Sequence, residues 1–480
     1  MTKPKILLLV TAYLLSRIVN LTSMPVFGDE AIYVRWAQLI KNVPSLRFVP
    51  LSDGKQPLFM WLNSLTLRIF TDPLFAGRII SVIAGLATII LLIFISKHFF
   101  NRQLSLITAI IYLCLPFTFF FDRMALADNL LSFFGLASLL ISLLLAQHPR
   151  PLLSLLLGLT LGLAWITKSP AVFFIVLSAT NFFLFNFKNY RQIHLIILPV
   201  IFAFFFYNLL RLSPEFHLLA SRNLDYIWSL KDILSHPLDP LIPHLGAVVT
   251  VYYHYLSLSL IISAILGLFL YFKNNRPSRY FWLILSWWIL PLLADCAFTK
   301  VFTARYVLYT LPPLLILIAL GVSQFSRYRL FPFLLFIILI PNIIWIKNMS
   351  FRPFTAVIPP SESGYLRDWT SGWGIREASV YFKSRAKEAN IIVGTEGFFG
   401  TLPNGLQIYT DHVNQLTVIG TGVDIHQVPP ELINAKNYGD EVYLLFNASR
   451  LKLTPDDFSK LKLIQSWIKP DGDSLLLLQL

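Results

Sequence analysis

The chain has 480 residues, of which 56% are hydrophobic and only 13% charged, and its mean hydropathy is +0.66. A soluble domain carries about a quarter charged residues, so composition excludes an ordinary soluble protein and leaves a polytopic helical membrane protein. The formal charge of +14 does not argue for nucleic acid, because the cations form no patch or arm and sit in short loops between apolar runs.

Lys3 and Lys5 precede the first apolar run, residues 5–22, which reads as a retained signal-anchor with a cytoplasmic N-terminus. Residues 23–77 form a first long outer loop. Within it Ile32, Trp36, Leu39 and Val43 recur at helical spacing, as do Leu58, Trp61, Leu62, Leu65 and Ile69. That spacing predicts two amphipathic helices along the membrane surface. Spans are expected at 78–96, 104–121, 125–146, 152–167, 170–187 and 193–211, each long enough to cross most of the ~30 Å of hydrocarbon. A second outer loop, 212–250, is followed by spans at 251–272, 280–297, 305–322 and 329–347. With Lys97, Arg102, Arg150, Lys188, Arg191, Lys273, Arg276, Arg279, Arg327 and Arg329 on the N-terminal side, the charge bias fits about eleven spans. Cys114 and Cys296 lie in apolar segments and imply no disulfide framework.

Composition changes after residue 347. Residues 348–480 carry Gly-rich turns, a helix pattern at 375–389 and strand-like runs at 390–393, 441–446 and 474–480. The chain therefore divides into a transmembrane domain, 1–347, and a small α/β or α+β domain, 348–480. An odd number of spans places the second domain outside the membrane, in the extracytoplasmic space. No P-loop, paired CxxC or HExxH is present.

This topology gathers the unusual ionisable residues on one face. Asp29 and Glu30 follow the first span, Lys55 is in the first outer loop, and Asp122, Arg123 and Asp128 lie between the third and fourth spans. Lys168 is at the 164–170 turn, and Asp295, Lys300, Arg305 and Tyr306 precede the tenth span. Each has a plainer reading. Asp29 and Glu30 suit a first helical turn, Asp122 and Arg123 a solvated turn, Lys168 a snorkelling cation, and Arg305 with Tyr306 an interfacial anchor. Together they suit transfer from a lipid phosphate. A carboxylate accepts the proton of an acceptor hydroxyl or amine, and Lys and Arg stabilise the charge on a departing phosphate. A transporter would instead place such groups at mid-span in repeated halves.

The order Gly28-Asp29-Glu30-Ala31-x-Tyr33, Lys55-x-Pro57-Leu58-x-x-Trp61 and Arg78 resembles the GT-C glycosyltransferases. The nearest group is the one holding the protein O-mannosyltransferases and the lipid A aminoarabinose transferase. Arg123-x4-Asp128, Gly162-Leu163-Ala164-Trp165-Ile166-Thr167-Lys168-Ser169-Pro170 and Lys300-x4-Arg305-Tyr306-Val307-Leu308-x-x-Leu311-Pro312 are similar to its later motifs. Two positions depart from the pattern: Gln56 where a proline is expected, and Ser169 where a glycine is.

The resemblance covers residues 5–325. It implies an all-α GT-C membrane fold and an inverting transferase that takes a sugar from a polyprenyl-phosphate donor. The acceptor would be a protein Ser/Thr, a glycolipid or a surface glycan, on the extracytoplasmic side. It also implies roles: Asp29 as the base with Glu30 as its partner; Lys55, Lys168, Lys300 and Arg305 on the donor phosphate; and Arg123, Asp128 and Tyr306 lining the cavity. No metal-ligand spacing is present, and a divalent metal beside Glu30 stays an open alternative. The alternatives from other classes are a flippase for lipid-linked glycans and a non-catalytic assembly subunit.

Overall fold

A computed structural model describes residues 3–186 and 192–480; the expected loop cations Lys188 and Arg191 lie outside the described residues. Among the described residues, six helices are long and apolar enough to span a membrane: Pro73–Phe99, Ala127–Gln147, His194–Leu212, Arg279–Phe298, Ala304–Arg327 and Phe331–Phe351. Lys3–Ile18, Arg102–Leu113, Pro151–Trp165 and Ala171–Asn186 are shorter apolar helices. The protein is an integral membrane protein.

Two expected spans are broken. The run 104–121 is two helices, Arg102–Leu113 and Pro116–Phe121, because Pro116 cannot continue the hydrogen-bond ladder and instead opens a new first turn. The run 251–272 straddles a pair of helices, Leu241–Leu256 and Leu258–Asn274, bent by 105°. The bend falls at Ser257, which adopts φ 64°, a backbone region disfavoured for a residue with a Cβ. The helix that begins at Leu241 also takes in the end of the loop expected at 212–250.

The chain forms two compact units, the first comprising residues 1–19, 47–59 and 78–347, the second residues 20–46, 60–77 and 348–480. In the first unit the Ala127–Gln147 helix is largely buried and packs against Pro151–Trp165 and Ala171–Asn186. The Leu258–Asn274 and Leu311–Ser323 helices cross with backbones in contact: a Cβ on Gly267 would fall 2.0 Å from the Gly321 carbonyl oxygen. Small residues are what permit such an approach between membrane helices.

The polar centre of this unit is a fully buried ion pair, Arg17 Nε to Asp122 Oδ2 at 3.3 Å. Asp122 also accepts from Tyr13 at 3.0 Å, Tyr112 at 3.1 Å and Asn129 at 3.2 Å. Arg17 spends its remaining donors on the Tyr112 and Leu113 carbonyls and on Thr118. Asp122 is thus no solvated turn residue. Arg17→Met would strand a buried carboxylate and is expected to cost about 3–5 kcal/mol. Adding Asp122→Asn should recover much of that loss, read as the thermal transition of the purified protein.

The second unit contains a five-stranded sheet of β1 (Ile391–Thr395), β2 (Leu416–Gly420), β3 (Glu441–Asn447), β4 (Lys462–Ile468) and β5 (Ser474–Gln479) in the order β2-β1-β3-β5-β4. β1 pairs parallel to both β2 and β3, and β5 pairs antiparallel to β3 and β4. The Ile375–Arg385 helix lies where the 375–389 pattern put it, and three of the five strands match the expected runs. The two edge strands, β2 and β4, were not anticipated. The Gly28–Asn42 helix, expected to lie on the membrane surface, packs its buried face on the Asn404–Thr410 helix of this unit. Gln38 Nε2 donates to the Ile408 carbonyl at 2.8 Å, and Arg35 pairs with Asp411.

Lys469 is buried here and donates to the Ser371 and Asp368 carbonyls at 2.7 and 3.1 Å. Burial outweighs the neighbouring carboxylates and holds its ammonium down to about 8, from the ordinary 10.5. Between those values the unfolded chain binds a proton that the folded domain has released, so stability rises with pH across that window; below it the penalty is constant. The difference in thermal midpoint between wild type and Lys469→Met, followed from pH 7 to 10, should therefore show wild type gaining relative to the variant as pH rises.

Candidate active site

The first unit brings the predicted cations together through two neighbouring turns. A 3-10 helix, Val49–Asp53, ends on Gly54 at φ 67°, where a Cβ would strike the Arg222 side chain at 2.5 Å. Only glycine fits there, and the close approach lets Arg222 pair with Asp53. The turn presents Lys55, whose Nζ lies 4.7 Å from the Tyr226 ring centroid and 3.5 Å from its hydroxyl. The next residues join the second turn: Gln56 Nε2 donates to Ser169 Oγ at 2.7 Å, and the Leu58 amide donates to the Ile166 carbonyl at 3.2 Å. Gln56 and Ser169, the two departures from the family pattern, thus bond to each other.

The second turn ends the Pro151–Trp165 helix and carries Lys168. Its Nζ pairs with Asp128 Oδ1 at 2.5 Å and stands 4.7 Å from the Tyr306 ring centroid. Asp128 is buried in the first turn of its helix, a position that suits an anion. The 3-10 helix Ala304–Thr310 supplies Tyr306 and Arg305, whose guanidinium carbon lies 5.6 Å from that ring. Tyr309 of the same helix donates to buried Asp295 at 2.7 Å. Lys300 is tied to the Lys55 side of the site: its amide donates to the Tyr226 carbonyl at 2.8 Å and its Nζ to the Leu224 carbonyl at 2.6 Å. With Lys300 Nζ also 5.2 Å from the Trp228 ring centroid, four cations resting on aromatic rings give a surface on which an anion meets positive charge at fixed positions.

Arg123, expected to line the cavity, is instead fully buried. One of its nitrogens donates to the Ser16, Arg17 and Val19 carbonyls at 3.3, 3.2 and 2.8 Å, so it satisfies the orphan carbonyls where the first helix ends. In the second unit, Asp29 and Glu30 occupy the first turn of the Gly28–Asn42 helix. Glu30 is fully buried and accepts from the Phe27 amide at 3.0 Å, closing the helix start; Asp29 is partly exposed. Among the described residues no three His, Cys, Asp or Glu side chains come together as a metal would need. Tyr226 carries no charge and lies in no motif, so the sequence gives no sign of it, and Gln56 and Ser169 stand out there only as departures from the family pattern.

The model of the family described as dolichyl-phosphate-mannose-protein mannosyltransferase matches residues 54–210. That stretch holds Lys55, Asp128 and Lys168. Among solved structures, ArnT from Cupriavidus metallidurans bound to undecaprenyl phosphate is similar with a TM-score of 0.58 at 14% identity, covering 99% of this chain and 98% of that one. The fold is that of ArnT. The apo form of the same ArnT matches with a TM-score of 0.57 at 14% identity, over 99% of this chain and 98% of that one. The archaeal oligosaccharyltransferase AglB from Archaeoglobus fulgidus, in complex with an inhibitory peptide and a dolichol-phosphate, matches with a TM-score of 0.53 at 13% identity. That match covers 92% of this chain and 69% of AglB. No curated protein matches the chain in sequence.

Proposed function

We propose that the protein is a membrane glycosyltransferase that moves a sugar from a polyprenyl-phosphate carrier to an extracytoplasmic acceptor. The observation that carries this is the pairing of Lys168 with Asp128 over Tyr306, beside Lys55 and Arg305, inside the segment that matches the mannosyltransferase family. ArnT and AglB, each solved with a polyprenyl phosphate, support the same donor class here. Residues 1–347 carry the transmembrane helices, with the N-terminus cytoplasmic, and 348–480 the extracytoplasmic domain, whose compact unit also takes in residues 20–46 and 60–77.

In this mechanism Lys55, Lys168, Arg305 and Lys300 hold the donor phosphate, the planar Arg fork and the Lys point charges sharing its oxygens. An acceptor hydroxyl attacks the anomeric carbon from the face opposite the phosphate, so the configuration inverts. The new C–O bond forms as the bond from the anomeric carbon to the phosphate oxygen breaks, and the electron pair leaves with the polyprenyl phosphate. Asp29 takes the acceptor proton. Glu30 acts through it as a positioning residue, fixing the helix start on which Asp29 sits. The cations offset the second negative charge that develops on the phosphate as it departs.

A transferase and a flippase separate in sealed proteoliposomes carrying polyprenyl-phosphate sugars labelled in the sugar. With a membrane extract as acceptor, a transferase moves label from the lipid to the extract and leaves free polyprenyl phosphate. Label that changes leaflet but stays lipid-linked overturns the proposal.

A further inference from the structure

The sheet of the second unit has a crevice where open parallel sheets bind ligands. The connection leaving β1 runs to β2 on one side and the connection leaving β3 runs toward β4 on the other, so the two loops part at the carboxyl ends of β1 and β3, a topological switch point. Four side chains meet there: Glu396 follows β1, Asn447 ends β3, Arg450 lies three residues beyond, and Trp369 comes from the turn that Lys469 ties down.

Glu396 is buried and accepts from the Asn447 amide at 3.0 Å and from Asn447 Nδ2. That carboxylate fixes which way the Asn447 side chain faces, and its Oδ1 is left buried with no hydrogen-bond partner. Arg450 lies flat on Trp369, its guanidinium carbon 4.0 Å from the ring centroid, and its Nε is also buried and unpartnered. Among the described residues Arg450 makes no ion pair, and Trp369 is 42% exposed. A buried orphan acceptor and a buried orphan donor at one crevice call for a ligand that supplies both partners.

We propose that this crevice is a saccharide-binding site. A sugar hydroxyl donates to Asn447 Oδ1 while another accepts from Arg450, and the apolar C–H face of the ring rests on the part of the indole that is exposed. A bare phosphate or sulfate fits less well, because it satisfies the arginine but gives Asn447 Oδ1 no proton and meets the Glu396 carboxylate. The site is independent of the transferase chemistry and holds whether or not the chain cleaves a lipid-linked donor.

The test uses the full chain in nanodiscs prepared without glycosidic detergent and applied to an array of neutral glycans ending in mannose, glucose, galactose or N-acetylglucosamine. Sulfated and phosphorylated glycans are included. Wild type should bind at least one neutral class, and Trp369→Ala and Arg450→Ala should each lose at least tenfold. Tyr438→Ala, at an exposed position on the far side of β3 in sequence, should bind as wild type does. Unchanged thermal transitions show the variants are folded, and Trp369→Phe should restore part of the binding by keeping a ring. No neutral glycan bound by wild type, binding that survives in both variants, or binding confined to the charged glycans overturns the proposal. Release of polyprenyl phosphate, measured on the same samples, reports on the transferase separately.

Discussion

Asp29→Asn is expected to slow sugar transfer by about a thousandfold, within the range general-base catalysis supplies, while the thermal transition barely moves. The side chain keeps its size, and the start of the Gly28–Asn42 helix is closed by Glu30 through the Phe27 amide, not by Asp29. At that terminus the variant gives up a charge near the helix dipole, worth about 0.3–1 kcal/mol. Glu30→Gln should behave in the opposite way. It weakens a buried charge-assisted cap and lowers the transition, yet leaves the Asp29 carboxylate to take the proton, so the loss of turnover is smaller. Equal rates for Asp29→Asn and wild type would remove Asp29 from the mechanism.

Lys168→Gln is the second large effect. A charged hydrogen bond to phosphate contributes about 1.5–3 kcal/mol, so donor binding should weaken by roughly ten- to a hundredfold and turnover should fall with it. The variant also leaves Asp128 buried without its ammonium partner, so some stability is lost as well. Asp128→Asn separates the two consequences: it removes the carboxylate that competes for Lys168 while sparing the cation, so donor affinity should hold or tighten. If Lys168→Gln and Asp128→Asn weaken donor binding alike, the pair serves the fold and not the phosphate.

Much of this is legible in the sequence because its physics is local. Long apolar runs, cations in the turns between them, and acids in a first helical turn are each written in a few adjacent residues. The three central strands could be anticipated for the same reason: β1, β3 and β5 are buried and read as apolar runs. The edge strands β2 and β4 are mostly half-buried or exposed and mix polar with apolar residues, which leaves no such mark. Contacts between distant residues were also out of reach. Arg17 and Asp122 are 105 positions apart, and nothing near Asp122 says that its partner comes from the first helix. Arg123 looked like a site residue for the same reason that it is a structural one: an arginine in a membrane protein must find oxygen, and here it finds three backbone carbonyls.

The amphipathic spacing at 32–43 specifies a helix with one apolar face, but spacing does not say what covers that face. The covering element, Asn404–Thr410, lies more than 360 residues on. The helix that carries Asp29 therefore belongs to the same compact unit as the sheet domain.

The central claim is that this chain cleaves a polyprenyl-phosphate sugar. Purified wild type in nanodiscs, supplied with a panel of such donors and a total membrane extract as acceptor, should release free polyprenyl phosphate from at least one donor, detected by mass spectrometry. No release from any donor on the panel, from protein that is folded and still binds polyprenyl phosphate, would contradict it.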